Sequence, residues 1–305
     1  MTRASTCIYH FLVLGWYIFL NYYIYISQSR GDHRKSEIFR NGGQWKYLTI
    51  LNLFLQAIFY GVACLDDVLK RIKGKGKKDI KFITAFRDLL FTTLAFPVSS
   101  FVFLSFWILF LYDRELVYPK TLDNILPVWL NHAMHMSILP PSLVELSLRP
   151  HHYSSRTKGL SLLAAASLAY IGRVLWIYSE TGTWVYPIFA KLNPLALTAF
   201  FSLSYALTAG IYLLGEKLNH LKWVSEFFED LYTACKHLPK AAQWVSHVKH
   251  AELQEGKEHY LWPGAAARKK EMIACCFPRI KEEENNRVHP FFFFLVGEVV
   301  EQRRS

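Results

Sequence analysis

Long stretches without a charged side chain are the feature that most constrains the fold of this sequence. A bilayer core about 30 Å thick needs roughly 20 residues of α-helix at a rise of 1.5 Å per residue. Four uncharged stretches reach about that length: residues 7–26, 47–65, 89–112 and 192–215. Soluble domains of average composition do not contain such stretches. They therefore predict a membrane protein.

Two further stretches are weaker candidates for membrane spans. Residues 124–146 carry two histidines, three prolines and Glu145, and residues 159–178 are interrupted by Arg173. Counting both, we predict an all-α fold built as a six-helix transmembrane bundle.

Charge density divides the chain near residue 222. Residues 1–215 carry 32 charged side chains, whereas residues 216–305 carry 27 in less than half that length. No stretch in the last part is long enough to span a bilayer, and mixed charge is typical of segments that stay disordered. We predict a six-helix membrane domain over residues 1–222 and an atypical, poorly ordered cytoplasmic tail over residues 223–305.

The distribution of Lys and Arg between the loops predicts the orientation in the membrane. The loops after the second and fourth predicted helices carry 11 basic residues, and the loops on the opposite side carry eight. This difference favours N- and C-termini that both lie in the cytoplasm. The basic loop at residues 70–81 lacks the Ser or Thr of a phosphate-binding loop, and we expect no nucleic-acid partner.

Polar side chains within membrane-spanning helices are costly and therefore indicate functional positions. The second predicted helix offers Thr49, Asn52 and Gln56, which fall on one helical face. The fourth offers Asn131, His132 and His135. A hydroxyl, side-chain amides and two imidazoles could therefore converge inside the bundle.

Depth in the membrane allows the hydroxyl to meet either imidazole. If Trp45 and Trp129 mark the same level at the outer interface, Thr49 lies about 6 Å deeper, His132 about 4.5 Å and His135 about 9 Å. A neutral imidazole can take the proton of a Thr hydroxyl, which makes the oxygen a nucleophile for acyl transfer. Geometry alone does not choose between the two histidines.

Other interpretations of these polar residues stay open. They could be interhelical hydrogen-bond partners in a non-catalytic membrane regulator, or His132 and His135 could relay protons in a transporter. Two histidines without a nearby carboxylate or thiolate supply too few ligands for a metal ion, so no metal site is predicted. His10, in the first predicted helix, is interpreted as a packing residue.

Five sequence segments resemble the androgen-induced protein family: NGGQWKYLT at residues 41–49, RDLLFTTLAFP at 87–97, WLNHAMH at 129–135, ETGTWVYP at 180–187 and YLLGEKLN at 212–219. The resemblance runs from Met1 to about Trp223. It implies an integral membrane threonine hydrolase that splits fatty acid esters of hydroxy fatty acids into a fatty acid and a hydroxy fatty acid, with no cofactor. The nucleophile carries over to Thr49 and the general base to His135.

The resemblance also implies partners and a location. The expected partners are the lipid substrate and the membrane, with a functional link to tissue factor pathway inhibitor. The expected location is the cell membrane, including caveolae, with the endoplasmic reticulum as the alternative. Further substrate-binding candidates are Asn52, Asn131 and His132, together with Lys46 and Lys120 at the outer rim, where a cation could meet the free carboxylate of the lipid.

The predicted orientation can be tested by protease protection in sealed vesicles. Epitope tags placed after Lys75 and after Trp223 should be digested from the cytoplasmic side, because the basic loops stay on that side. A tag at Gly31 should be protected from the same protease. A protected tail together with a digested Gly31 site would mean that the orientation is inverted.

Overall fold

The computed structural model describes residues 3–29, 43–72, 78–120, 122 and 126–235. Within these residues all regular structure is helical, which confirms the predicted all-α class. The helices are α1 (Arg3–Ser29), α2 (Leu48–Ile72), α3 (Lys78–Leu90), α4 (Phe96–Asp113), α5 (Val128–Met136), α6 (Leu139–Leu148), α7 (Arg156–Thr181), α8 (Pro187–Ala190) and α9 (Pro194–Cys235). Of the predicted tail over residues 223–305, residues 223–235 are helical and continue α9. The rest of that tail and the loop positions Gly31 and Lys75 lie outside the described residues.

Among the described residues, five helical segments are long and apolar enough to cross a membrane: Ala4–Ser27, Leu48–Ile72, Ile80–Leu116, Arg156–Thr181 and Pro194–Trp223. They correspond to the first, second, third, fifth and sixth predicted helices. The chain is therefore a multi-pass integral membrane protein. Most of the predicted helices were too short. The helix α2, for example, continues through Asp66 and Asp67, whose carboxylates find partners within the bundle.

The fourth predicted span is broken into two short helices, α5 and α6. The turn between them lies at Ser137 and Ile138. Pro140 and Pro141 occupy the first turn of α6, where their missing N–H groups cost nothing, whereas inside a continuous helix each would remove a hydrogen bond. The prediction of one helix over residues 124–146 is thus wrong, and the break places His135 in the last turn of α5.

The core of the bundle is formed by large apolar side chains of α1, α2, α5 and a π-helical turn, Phe91–Ala95, that joins α3 to α4. Fully buried members are Tyr17, Leu53, Phe59, Phe91 and Leu130. Such π-turns are rare and are frequently found at functional sites. Here the turn presents the Ala95 carbonyl to a side chain of α2, which donates a hydrogen bond to it.

Charged side chains from several helices meet in a buried group that we call the ionic cluster. On one side of it, His10 of α1 places Nδ1 2.6 Å from Asp67 Oδ2 and Nε2 2.8 Å from Glu145 Oε2. Arg149 donates from Nε to Glu145 Oε1 at 3.1 Å. The interpretation of His10 as a packing residue is therefore wrong, because its ring lies between two carboxylates of α2 and α6.

The other side of the ionic cluster is centred on Arg87 of α3. Its guanidinium binds the Asp66 carboxylate of α2 and donates from Nη2 to Asp88 Oδ1 at 2.5 Å. Asp88 also accepts from Nδ1 of His151 at 3.0 Å. The ionic cluster thus consists of His10, Asp66, Asp67, Arg87, Asp88, Glu145, Arg149 and His151. The cluster connects α1, α2, α3 and α6 through charged side chains that are buried away from water.

Replacing Arg87 by Leu is expected to destabilise the bundle strongly. The substitution removes the buried cation that Asp66 and Asp88 share, and breaking a buried ion pair costs about 3–5 kcal/mol. The matched control is Lys191→Met, which removes an exposed ion pair with Asp113 worth about 0–1 kcal/mol. Thermal unfolding in detergent, followed by size-exclusion chromatography, compares the two. Equal midpoints for both variants would contradict a stabilising role of the ionic cluster.

Candidate active site

An apolar cavity with a volume of about 390 Å³ lies among the helices and contains the predicted catalytic pair. Residues of α2, α4, α5, α7 and α9 line it, and most of them are Leu, Ile, Val or Phe. Its polar lining side chains include Thr49, Asn52, Ser105 and His135. The volume falls in the range of small-molecule sites, and the combination of apolar walls with a few polar groups is typical of them.

Thr49 and His135 are hydrogen-bonded to each other across α2 and α5. The distance from Thr49 Oγ1 to His135 Nε2 is 3.2 Å. His135 Nδ1 lies 2.9 Å from the Asn131 carbonyl oxygen, which can only accept a hydrogen bond, so Nδ1 carries the proton. In a neutral imidazole Nε2 then has the free lone pair and accepts from the Thr49 hydroxyl. This is the tautomer that a general base for Thr49 needs.

The imidazole of His135 is held by a parallel aromatic ring. Phe106 of α4 stacks on it with ring centroids 3.5 Å apart and an interplanar angle of 9°. His135 is 5% exposed, so bulk water does not compete for its nitrogens. The ring plane and the Nδ1 hydrogen bond together fix where Nε2 points.

Thr49 is the second residue of α2, and two tyrosines hold the start of that helix. The Leu48 N–H, which has no partner inside the helix, donates to Tyr186 Oη at 3.0 Å. Tyr170 Oη donates to the Lys46 carbonyl at 3.2 Å. The first turn of a helix carries the positive end of its dipole. Thr49 therefore lies where developing negative charge is stabilised.

The two imidazoles of α5 have different surroundings. His132 is exposed and stacks on Trp107, with ring centroids 5.7 Å apart. It does not line the cavity. The geometry thus separates two side chains that depth alone left equivalent, and only His135 meets Thr49.

The remaining predicted binding residues divide into one that lines the cavity and three that do not. Asn52 lines it. Asn131 is buried and reaches the site through its backbone carbonyl. Lys120 is exposed. Lys46 is buried just before α2, and burial lowers the pKa of its ammonium group.

Phe106, Tyr170 and Tyr186 were missed by sequence reasoning. Each is an aromatic residue among many, and the sequence carries 40 Tyr and Phe residues, so composition does not single them out. Tyr186 does fall within the segment ETGTWVYP. That segment was the one signal that could have pointed to it.

No metal centre is formed by the residues that the structure describes. Among them, no group of three or more His, Cys, Asp or Glu side chains is arranged to hold a metal ion.

Comparison with known proteins gives consistent matches over the membrane part of the chain. The family model described as FAR-17a/AIG1-like protein matches residues 5–220. The chain is 71% identical over 223 residues to the human Androgen-dependent TFPI-regulating protein, covering 73% of this chain and 95% of that protein. The protein of the same name from Rattus norvegicus is 65% identical, and the alignment covers the same fractions of the two chains. Human Androgen-induced gene 1 protein is 42% identical, covering 60% of this chain and 79% of that protein. No solved structure matches.

Replacing Tyr186 by Phe should weaken the start of α2. The change removes the oxygen that accepts from the Leu48 N–H, and a buried donor left without its partner costs about 1–3 kcal/mol. Thermal unfolding in detergent should show this loss. Tyr178→Phe is the matched control, because Tyr178 is exposed and stacks on Trp184 through its ring. Identical unfolding midpoints for the two variants would contradict the anchoring role of Tyr186.

Proposed function

Since the chain belongs to the FAR-17a/AIG1-like protein family, we propose that it is a membrane-embedded threonine hydrolase that cleaves fatty acid esters of hydroxy fatty acids. Thr49 is the nucleophile and His135 the general base. The observation that carries this proposal is the 3.2 Å contact between Thr49 Oγ1 and His135 Nε2 at the wall of an apolar cavity.

The reaction proceeds in two acyl-transfer steps. His135 Nε2 takes the Thr49 proton as Oγ1 attacks the ester carbonyl carbon. The tetrahedral intermediate collapses, the bond to the alkoxide oxygen breaks, and the imidazolium returns its proton to release the hydroxy fatty acid. Water then attacks the acyl-threonine while His135 takes its proton. The second collapse frees the fatty acid and restores the Thr49 hydroxyl.

The walls of the cavity support a substrate with long acyl chains. Leu51, Leu55, Val98 and Phe101 are among the apolar side chains that line it, and burial of hydrocarbon against such walls stabilises a bound lipid. The reacting ester would lie away from bulk water. Such a site strengthens the hydrogen bonds that hold the transition state.

The free carboxylate of the substrate would lie towards the start of α2. Lys46 directly precedes Tyr47 and Leu48, which line the cavity. Burial disfavours the charged form of its ammonium and lowers its pKa, and a carboxylate close to it would favour the charged form. Lys120 is exposed and is the weaker candidate.

A regulatory role is the second candidate, and the names of the relatives support it. The human relative that is 71% identical is named as a TFPI-regulating protein. We infer a functional link to tissue factor pathway inhibitor, exerted from the cell membrane. A non-catalytic regulator would use the same bundle and would not depend on the Thr49 hydroxyl.

Substitutions at the paired residues test the hydrolase directly. Thr49→Ala should abolish release of hydroxy fatty acid, measured by mass spectrometry on purified protein in detergent. His135→Ala should lower the rate about 10²- to 10⁴-fold, because a general base contributes that much. A fluorophosphonate probe should label Thr49 in the unaltered protein.

The matched control for the imidazole is His132→Ala, which removes an exposed histidine of the same helix. It should keep most of the activity. Full hydrolysis by Thr49→Ala would refute the nucleophile, and an inactive His132 variant beside an active His135 variant would reassign the base.

A further inference from the structure

We propose that the side-chain amide of Asn52 is the oxyanion donor of this site and that Gln56 holds it in position. The inference rests on the hydrolytic function proposed above and adds one group to it. A hydrolase that forms a tetrahedral intermediate needs a donor for the oxygen that becomes negatively charged. The side chains of Thr49 and His135 are engaged with each other in the proton transfer and do not supply one.

Asn52 is placed correctly along α2 to act on the same carbonyl group as Thr49. It follows Thr49 by three residues, so the two side chains fall on one face of the helix. Both line the cavity. Asn52 is 1% exposed, and water therefore does not saturate its amide.

The Nδ2 group of Asn52 has no hydrogen-bond partner among the described residues. Buried amide N–H groups in proteins are nearly always paired, and an exception needs an explanation. Asn52 borders a cavity that holds the candidate nucleophile. A ligand oxygen is therefore the partner that this donor lacks.

The direction of the Asn52 amide is fixed by Gln56, one turn further along α2. Gln56 Nε2 donates to the Ala95 carbonyl at 2.9 Å and to Asn52 Oδ1 at 3.3 Å. The Ala95 carbonyl can only accept, which forces Gln56 to turn its NH₂ group towards it. The same NH₂ group then requires an oxygen from Asn52. Asn52 consequently keeps Oδ1 on the Gln56 side and leaves Nδ2 for the cavity.

The direction of the Asn52 amide is set, through Gln56, by a backbone carbonyl rather than by another mobile side chain. Ala95 is the last residue of the π-helical turn and is fully buried. Gln56 is also fully buried and does not line the cavity. It is therefore a positioning residue, whereas Asn52 is the group that would touch the reacting oxygen.

The donor would act mainly in the transition state. As Thr49 Oγ1 attacks, the carbonyl oxygen of the ester gains negative charge, and the hydrogen bond from Asn52 Nδ2 strengthens. The start of α2 adds the positive end of its dipole. An interaction that strengthens in the transition state raises kcat and changes KM little.

The first test is Asn52→Leu, a side chain of similar shape that cannot donate. Its kcat for a fatty acid ester of a hydroxy fatty acid should fall about 10²- to 10³-fold, as for other oxyanion donors, with KM within about twofold. Ser99→Ala is the matched control, because Ser99 is a fully buried hydroxyl bonded to Ser142 and does not line the cavity. It should leave kcat unchanged.

The second test is Gln56→Glu. In either protonation state the new carboxyl group cannot donate to both Ala95 and Asn52, so the Asn52 amide would turn its Nδ2 towards it and away from the cavity. The variant should show the same loss in kcat as Asn52→Leu. The double variant should lose no more than either single one, because both act through one hydrogen bond. A purely structural role would instead give additive losses.

Labelling of Thr49 by a fluorophosphonate probe gives a readout that is independent of lipid binding. The phosphoryl oxygen of the probe would occupy the oxyanion position, so the labelling rate per mole of folded protein should fall in Asn52→Leu and not in Ser99→Ala.

A kcat within about fivefold of the unaltered protein, or a loss confined to KM, overturns the assignment of Asn52. Absence of both hydrolysis and labelling in the unaltered protein overturns the proposed function as well, and the two failures are thereby distinguished.

Discussion

A polar side chain buried inside an apolar helical bundle is costly unless it finds a partner within the protein. Much of this architecture follows from that constraint. The ionic cluster joins α1, α2, α3 and α6 because its carboxylates and cations have each other for partners. The Thr49 and His135 pair and the Gln56 contact with Ala95 are smaller examples. In each case the polar contact fixes how one helix faces another, which apolar packing specifies less strictly.

The membrane spans could be predicted from the sequence because hydropathy is a local property. The ends of the helices could not, since the charged residues that extend α2 beyond residue 65 are stabilised by Arg87 and Arg149, which are distant in the chain. The break between α5 and α6 was signalled by Pro140 and Pro141, yet the uncharged stretch around them suggested a single span. His10 was misread for the same reason as the helix ends, because its carboxylate partners come from other helices.

The proposed catalytic pair shows a different limit of sequence reasoning. Depth along the helix axis placed Thr49 near both His132 and His135, and the rotation of α5 about its own axis decides which imidazole turns inwards. That rotation depends on contacts such as the stacking of Phe106 on His135 and of Trp107 on His132. Periodicity gives the angle between two residues of one helix but not the direction in which the helix faces.

The group that orients His135 is a backbone carbonyl of its own helix rather than a carboxylate. Burying a carboxylate beside an imidazole would require a further cation or several donors, whereas the Asn131 carbonyl lies one turn away and brings no charge. The proposed base and its orienting group therefore lie within a single turn of α5. Thr49, by contrast, comes from the start of α2, so the distance between Oγ1 and Nε2 depends on how Tyr170 and Tyr186 hold that start. Small shifts of α2 would separate Oγ1 from Nε2 without altering either residue, and misplacement by about 1 Å can cost on the order of 10²-fold in rate.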